Sequence, residues 1–443
     1  MDSQNKMATQ PIWKLIVSMS LPPLFSMFLQ YSYNFVDSAF VAQIGENALT
    51  AVSLSFPITT LMNATSIWIG VGANVLLARY LGKGQQKEAD KVAALSILMA
   101  VICGIILNVI VLLLIKPYFS AFAKEDELFN LCKEYMTICA FMQIPNMVHI
   151  VIQKIIQATG NMLTPMWFQI SGVVFNFIFD PILIFGIGIF PEMGIRGAAI
   201  STVMGYTLSM ILAIIMLFCK KQKVQASFHG EHISWNTIKE IFSLGLPSFI
   251  MNALASFMVT FANIFLVVYS TTAVAFFGAY FRVQQLVVMT VNGLIQGCLP
   301  IMSFNYGAGN MARLKKTFFN GTWVAACMMG TGAIILIVFP VPILQLFNAS
   351  NEMISFGVVA MRIMAWGYVF NGISTMIATY AQSIGFVGKS IFINLLRQLV
   401  MLIPGMWIFS KLLGITGIWI AFPITEIITF LVAYFIWKNM NRL

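Results

Sequence analysis

Two carboxylates inside apolar stretches are the residues of this sequence best placed to do chemistry. Asp37 follows a long apolar stretch that begins near Ile12, and Asp180 precedes Pro181 in another. An aspartate near the centre of a bilayer costs roughly 2.5–3.5 kcal/mol, so such residues are functional by default. Asn176, one helical turn before Asp180, places a further oxygen on the same face. Oxygen ligands of this kind suit a proton or a hard cation, which favours an ion-coupled process.

The elements that position these acids follow from the composition. The chain has 443 residues, of which 59% are hydrophobic and 9% charged. Soluble domains contain about 25% charged residues, so a soluble fold is excluded. At about 20 residues per span, the apolar blocks partition into twelve segments. The sequence therefore predicts an all-α integral membrane protein with twelve transmembrane helices.

The basic residues indicate how these helices are oriented. If the N-terminus is cytoplasmic, 18 of the 25 lysines and arginines fall on the cytoplasmic side and 7 on the other. The positive-inside rule then predicts a multi-pass protein of the cytoplasmic membrane with both termini in the cytoplasm. The net charge of +10 is spread over the loops, so no nucleic-acid partner is predicted. The six cysteines are scattered and imply neither a metal site nor a disulfide framework.

The chain repeats itself at an offset of 225 residues. Lys14–Pro22 matches Lys239–Pro247, and Gln157–Gly160 matches Gln382–Gly385. Six helices in each repeat predict two six-helix bundles related by a pseudo-twofold axis, with a central cleft as the binding site. The predicted divisions are a cytoplasmic tail (1–11), an N-lobe (12–219), a cytoplasmic linker (220–237) and a C-lobe (238–443).

The acids break this repeat. At the same offset Asp37 corresponds to Ala262, and the only deep acid of the second half is Glu426. Glu426 is either a secondary coupling acid or a neutral, hydrogen-bonded acid, and we favour the second interpretation. Pro22 and Pro23 remove helical hydrogen bonds and predict a kink in the first helix, either static or part of gating.

Five segments together resemble the multidrug and toxic compound extrusion (MATE) family, and within it the bacterial DinF-like and MepA-like group. The resemblance covers nearly the whole chain and implies a secondary active transporter rather than an enzyme. It would export amphipathic or cationic compounds by antiport with H⁺ or Na⁺ and need no cofactor. The segments are Val36–Gly45, Gly72–Gly82, Gln157–Asn161, Asn176–Pro181 and Gln296–Gly309.

The resemblance also implies where the coupling ion binds. The family's first-half ion site maps onto Asp37, Asn176 and Asp180, which would bind the proton or a transported Na⁺, with no structural metal. A hydroxyl from the sixth helix belongs to the same site and is supplied by Ser201 or Thr202.

Two more polar residues match positions beside this ion site. Tyr33 lies one turn before Asp37. Gln153, in the fourth helix, departs from the asparagine that is commoner in similar proteins.

The sequence argues against two rival functions. A lipid-linked precursor flippase needs a more cationic cleft, for which only Arg282, Arg362 and Arg397 are available, all near predicted helix ends. An integral-membrane enzyme would need a cluster of histidine, cysteine or acidic ligands, and the three scattered histidines do not supply one. A nucleotide-binding loop of the type GxxxxGK[ST] does not occur. The expected partners are small amphipathic or cationic molecules and the lipid bilayer, with the transporter as a monomer.

Overall fold

A computed structural model describes residues 6–123, 125–219, 222–226, 234–347 and 349–440. The predicted tail and linker lie partly outside the described residues, at 1–5, 220–221 and 227–233. The helices of the first half are α1 (Lys6–Thr9), α2 (Ile12–Ile44), α3 (Glu46–Gly82), α4 (Gln86–Phe122), α5 (Asp126–Ala140), α6 (Gln143–Ala158), α7 (Leu163–Phe185) and α8 (Ile195–Phe218).

The helices of the second half follow the same pattern. They are α9 (Trp235–Val267), α10 (Thr271–Gly307), α11 (Met311–Val338), α12 (Pro340–Gln345), α13 (Asn351–Ala365), α14 (Tyr368–Ile384), α15 (Val387–Leu395), a π-helical segment (Leu396–Leu402), α16 (Ile403–Leu413) and α17 (Ile415–Met440).

The helices are long and apolar enough to cross a membrane. Among the described residues, ten spans meet this condition by length and composition, and twelve do when each bent helix pair is one span. The bent pairs are α5 with α6, at 42°, and α13 with α14, at 41°. Apolar side chains of α4 face outward, with Ile106 52% and Leu113 71% exposed. Since a helix pairs its own backbone groups, it can expose such a surface to lipid. The predicted all-α membrane architecture is confirmed.

The internal repeat is visible in the helix boundaries. Three helices of the first half, α3, α4 and α5, begin 225 residues before α10, α11 and α13. The bent pair α5 and α6 thus corresponds to the bent pair α13 and α14. The seventh helix departs from the pattern, because α7 is continuous while its counterpart contains the π-helical segment Leu396–Leu402. Such segments are rare and often occur at functional sites.

Two compact units divide the described chain. Unit 1 is mainly Phe25–Phe249, and unit 2 contains Thr9–Leu24, Ile250–Tyr306 and the chain from Asn310 onward. The division falls inside α2 and inside α9, within a few residues of Pro23 and of Pro247. The lobe boundaries expected from the repeat, and a gating role for the Pro22–Pro23 kink, stay predictions.

Each unit has its own apolar core. In unit 1, Phe119 and Met136 are fully buried in a cluster built from α2, α3, α4, α5, α7 and α8. In unit 2, Trp419 packs against Phe276 and Phe277, with ring centroids 5.3 and 6.5 Å apart. These cores hold the helices that carry the polar residues described next.

Candidate functional site

The two predicted acids meet in unit 1. Asp37 on α2 and Asp180 on α7 place their carboxyl groups within hydrogen-bonding reach of each other. Asp180 is fully buried. Tyr33, one turn before Asp37, donates from its hydroxyl to Asp180 Oδ2 over 2.6 Å. Because two carboxylates in contact repel each other strongly, this arrangement favours the binding of a proton or a cation.

Helix α8 brings hydroxyl groups to these acids. Ser201 is fully buried beside Asp180, and its Oγ has no well-aligned hydrogen-bond partner among the described residues. Thr202 lies beside the Tyr33 phenol and donates to the carbonyl of Ala198 over 3.0 Å. Of the two candidate hydroxyls, Ser201 is therefore the one next to an acid and not committed to the backbone.

Asn176 lies on α7, one helical turn before Asp180 and on the same face of that helix. Its side chain is buried, and it packs directly on the backbone of Gly205 in α8. A Cβ at Gly205 would overlap with Asn176 Oδ1, so only glycine leaves room for the amide. The local sequence thus positions Asn176 through a small residue on the facing helix.

The cluster contains four buried oxygens without a hydrogen-bond partner in the described structure. They are Asp37 Oδ1, Asn176 Oδ1, Asp180 Oδ1 and Ser201 Oγ. Unpaired buried oxygens are costly, and these four come from three helices. An all-oxygen set with two carboxylates fits a hard cation or a shared proton.

A chain of glutamines extends the polar surface. Gln153 Nε2 on α6 donates to Gln169 Oε1 over 3.0 Å, and Gln169 Nε2 donates to Gln30 Oε1 over 3.2 Å. Gln153 therefore does not join the acids directly. Gln30 and Gln169 are site residues that were not predicted from the sequence, although each has a detectable signal. Gln30 lies seven residues, two helical turns, before Asp37, and Gln169 lies seven residues before Asn176.

Glu426 lies in a different environment, in unit 2. Its Oε1 accepts a hydrogen bond from Asn371 Nδ2 over 2.8 Å, and the Arg397 guanidinium is close enough to act on its charge. Arg397 is 6% exposed and donates to Thr375 Oγ1 over 2.8 Å. No salt bridge joins Arg397 and Glu426 in the part of the chain that the structure describes.

The position of Arg397 corrects one expectation. It does not lie near a helix end, since the π-helical segment places it in the middle of the span Val387–Leu413. Arg282 also lies inside its helix, α10, whereas Arg362 is in the last turn of α13. Helix ends predicted from hydropathy alone do not show a π-helical break. Glu426 thus has a hydrogen-bond donor in Asn371 and a nearby cation in Arg397, and its role as a coupling acid or as a neutral, hydrogen-bonded acid stays a prediction.

Glu426→Gln should retain substantial transport, because its side-chain carbonyl still accepts from Asn371. Arg397→Met should lower the unfolding temperature more than Glu426→Gln does, since it leaves the buried Glu426 carboxylate without a nearby cation. The free energy of unfolding lost in Arg397→Met should be smaller than about 3–5 kcal/mol, which is the cost of removing one partner of a buried pair in direct contact. Vesicle efflux and thermal unfolding in detergent measure both effects. If Glu426→Gln, at normal expression, transports as poorly as Asp37→Asn, the second half shares the coupling.

Comparisons with known proteins show the family to which the chain belongs. The MatE family model matches residues 22–182 and 247–408, once in each repeat. An FAD transporter of Shewanella oneidensis is 26% identical over 98% of this chain and 96% of its own. The multidrug export protein MepA of Staphylococcus haemolyticus is also 26% identical, over 98% of this chain and 95% of its own.

Solved structures show the same fold. A multidrug resistance MATE family transporter in an outward-facing conformation has a TM-score of 0.93 at 23% identity, covering 99% of this chain and 98% of its own. A MOP superfamily transporter from Pyrococcus furiosus, whose binding pocket has reversed polarity, has a TM-score of 0.93 at 24% identity, with the same coverage. Similarity to multidrug export proteins does not favour the lipid-linked precursor flippase.

Proposed function

Because the chain belongs to the MatE family of membrane transporters, we propose that it exports amphipathic and cationic compounds by antiport with protons or sodium ions. The coupling acids in this proposal are Asp37 and Asp180 of unit 1. It acts as a monomer in the cytoplasmic membrane, with both termini in the cytoplasm.

One observation carries the proposal: two acids within hydrogen-bonding reach, surrounded by oxygens without partners. An inward-moving proton or sodium ion neutralises this cluster, and its release restores the charge. Since the cluster joins α2, α7 and α8, the bound ion favours one packing of these helices over another. A difference in ion affinity between two conformations is what shifts their balance.

The substrate class follows from the relatives and from the charge of the cluster. MepA is a multidrug export protein, and an ion-free pair of acids attracts organic cations. The equally similar FAD transporter makes FAD, a diphosphate anion, the second substrate to test. Flexible methionines, of which the chain has 29, suit the binding of varied amphipathic molecules.

Inverted vesicles containing the chain test the proposal. A pH gradient and a sodium gradient are imposed separately, and ethidium uptake is followed by fluorescence. We expect one of the two gradients to drive ethidium transport and the corresponding ionophore to stop it. Unlabelled FAD, added as a competitor, should leave ethidium transport unchanged. Ethidium movement that persists after both gradients are collapsed, or that needs ATP, would contradict the proposal.

A further inference from the structure

A cavity of about 290 Å³ lies in unit 2, beside the start of the first span. Its walls are the chain entering α2 and the first two turns of α11. The lining residues are Pro11, Ile12, Trp13, Ala312, Arg313 and Lys316. Neither the coupling site nor the internal repeat accounts for it. We propose that this cavity binds the phosphate-bearing headgroup of an anionic membrane lipid.

The charge of the cavity points to an anion. Arg313 and Lys316 both line it, and none of its lining residues is acidic. The only acids of unit 2 are Glu352 in α13 and Glu426 in α17, which lie in other helices. The N-terminus of α11 adds the positive end of its dipole, and Asn310 caps that helix by accepting from Arg313 N over 3.1 Å.

The guanidinium of Arg313 has a defined position. Its Nη2 donates to the carbonyl of Gln10 over 2.7 Å, which ties α11 to the chain just before the first span. Lys316, one turn later on α11, is exposed on the same face. A planar guanidinium and an ammonium side by side suit the oxygens of a phosphate group.

The remaining walls favour a lipid over a soluble anion. Pro11, Ile12 and Trp13 are largely apolar, and Ile12 begins the first span. Trp13 is 48% exposed at the start of this span. Tryptophan is enriched at the membrane–water interface, where a lipid headgroup lies. The cavity volume lies just below the range of about 300–1,000 Å³ that is typical of small-molecule pockets. The cavity therefore has room for a lipid headgroup but leaves the acyl tails outside. Juxtamembrane basic residues attract anionic lipids in the same way.

The test uses the purified full chain and does not depend on its transport substrate. Its unfolding temperature in detergent is measured while phosphatidylglycerol, phosphatidylcholine or inorganic phosphate is added. We expect stabilisation by phosphatidylglycerol alone. Lys316→Gln should raise the half-saturating phosphatidylglycerol concentration, and Lys316→Gln with Arg313→Gln should raise it by about tenfold or more, the equivalent of 1.4 kcal/mol.

Lys315→Gln is the matched control, because Lys315 is an exposed neighbour that does not line the cavity. It should bind phosphatidylglycerol like the unmutated chain. Equal losses in Lys315→Gln and Lys316→Gln would show a general charge effect and overturn the proposal. Equal stabilisation by phosphatidylcholine or by inorganic phosphate would also overturn it. If Arg313→Gln prevents folding, Lys316→Gln and Lys316→Glu decide the question by themselves.

Discussion

Asp180→Asn and Asp37→Asn are each expected to abolish gradient-driven efflux while the protein stays folded. Asparagine has nearly the same shape as aspartate, and at position 180 it still offers an oxygen to the Tyr33 hydroxyl, so packing is preserved. The negative charge that binds the coupling ion is lost, and one remaining acid cannot replace the pair. Efflux should fall by about tenfold or more, a change of at least 1.4 kcal/mol.

Ethidium efflux from vesicles with matched expression measures this loss. Asp126→Asn is the control, because it makes the same chemical change at an exposed acid in the first turn of α5. It should transport like the unmutated chain. Full transport by both Asp37→Asn and Asp180→Asn would contradict the proposal that these acids bind the coupling ion.

A second large effect is expected on drug affinity. A protonated or sodium-filled Asp37–Asp180 cluster is less negative, so it should hold a cationic drug less tightly. Affinity in detergent should therefore fall as pH drops or as sodium rises. The coupling must be reciprocal in binding free energy, so the drug should weaken ion binding by the same factor.

Ethidium affinity, measured by fluorescence anisotropy over a pH series with and without sodium, tests this prediction. Asp180→Asn should flatten the dependence, because it leaves a single titrating acid in the cluster. Glu426→Gln serves as the matched control and should keep the dependence. If the unmutated chain shows the same affinity at every pH and sodium concentration, direct charge competition is wrong and coupling runs through conformation alone.

The sequence was sufficient to predict the spans and the two acids. Hydropathy identifies a span because every residue facing lipid must be apolar. Asp37 and Asp180 are identifiable because acids are rare in such stretches. Their meeting depends on the rotation of α2 and α7 about their own axes, which hydropathy does not determine. The sequence therefore does not decide whether Ser201 or Thr202 supplies the hydroxyl group of the site, and only the packing of the helices distinguishes the two.

Other features needed the structure for different reasons. Gly205 has no side chain to suggest a role, yet it sets the space for Asn176. The π-helical segment that buries Arg397 has no hydropathy signature, because one extra residue in a turn leaves the apolar stretch unchanged. The bends between α5 and α6 and between α13 and α14 also leave the apolar stretch unchanged, so hydropathy does not reveal them.

Ion movement driven by the drug is the most direct test of coupling at the unit 1 acids. Proteoliposomes are loaded with ethidium, no ion gradient is imposed, and internal pH and sodium are followed by indicator dyes. Downhill ethidium exit from the unmutated chain should drive protons or sodium inward. Asp37→Asn and Asp180→Asn should drive no ion movement. Equal ion movement by the unmutated chain and by both variants would contradict the account.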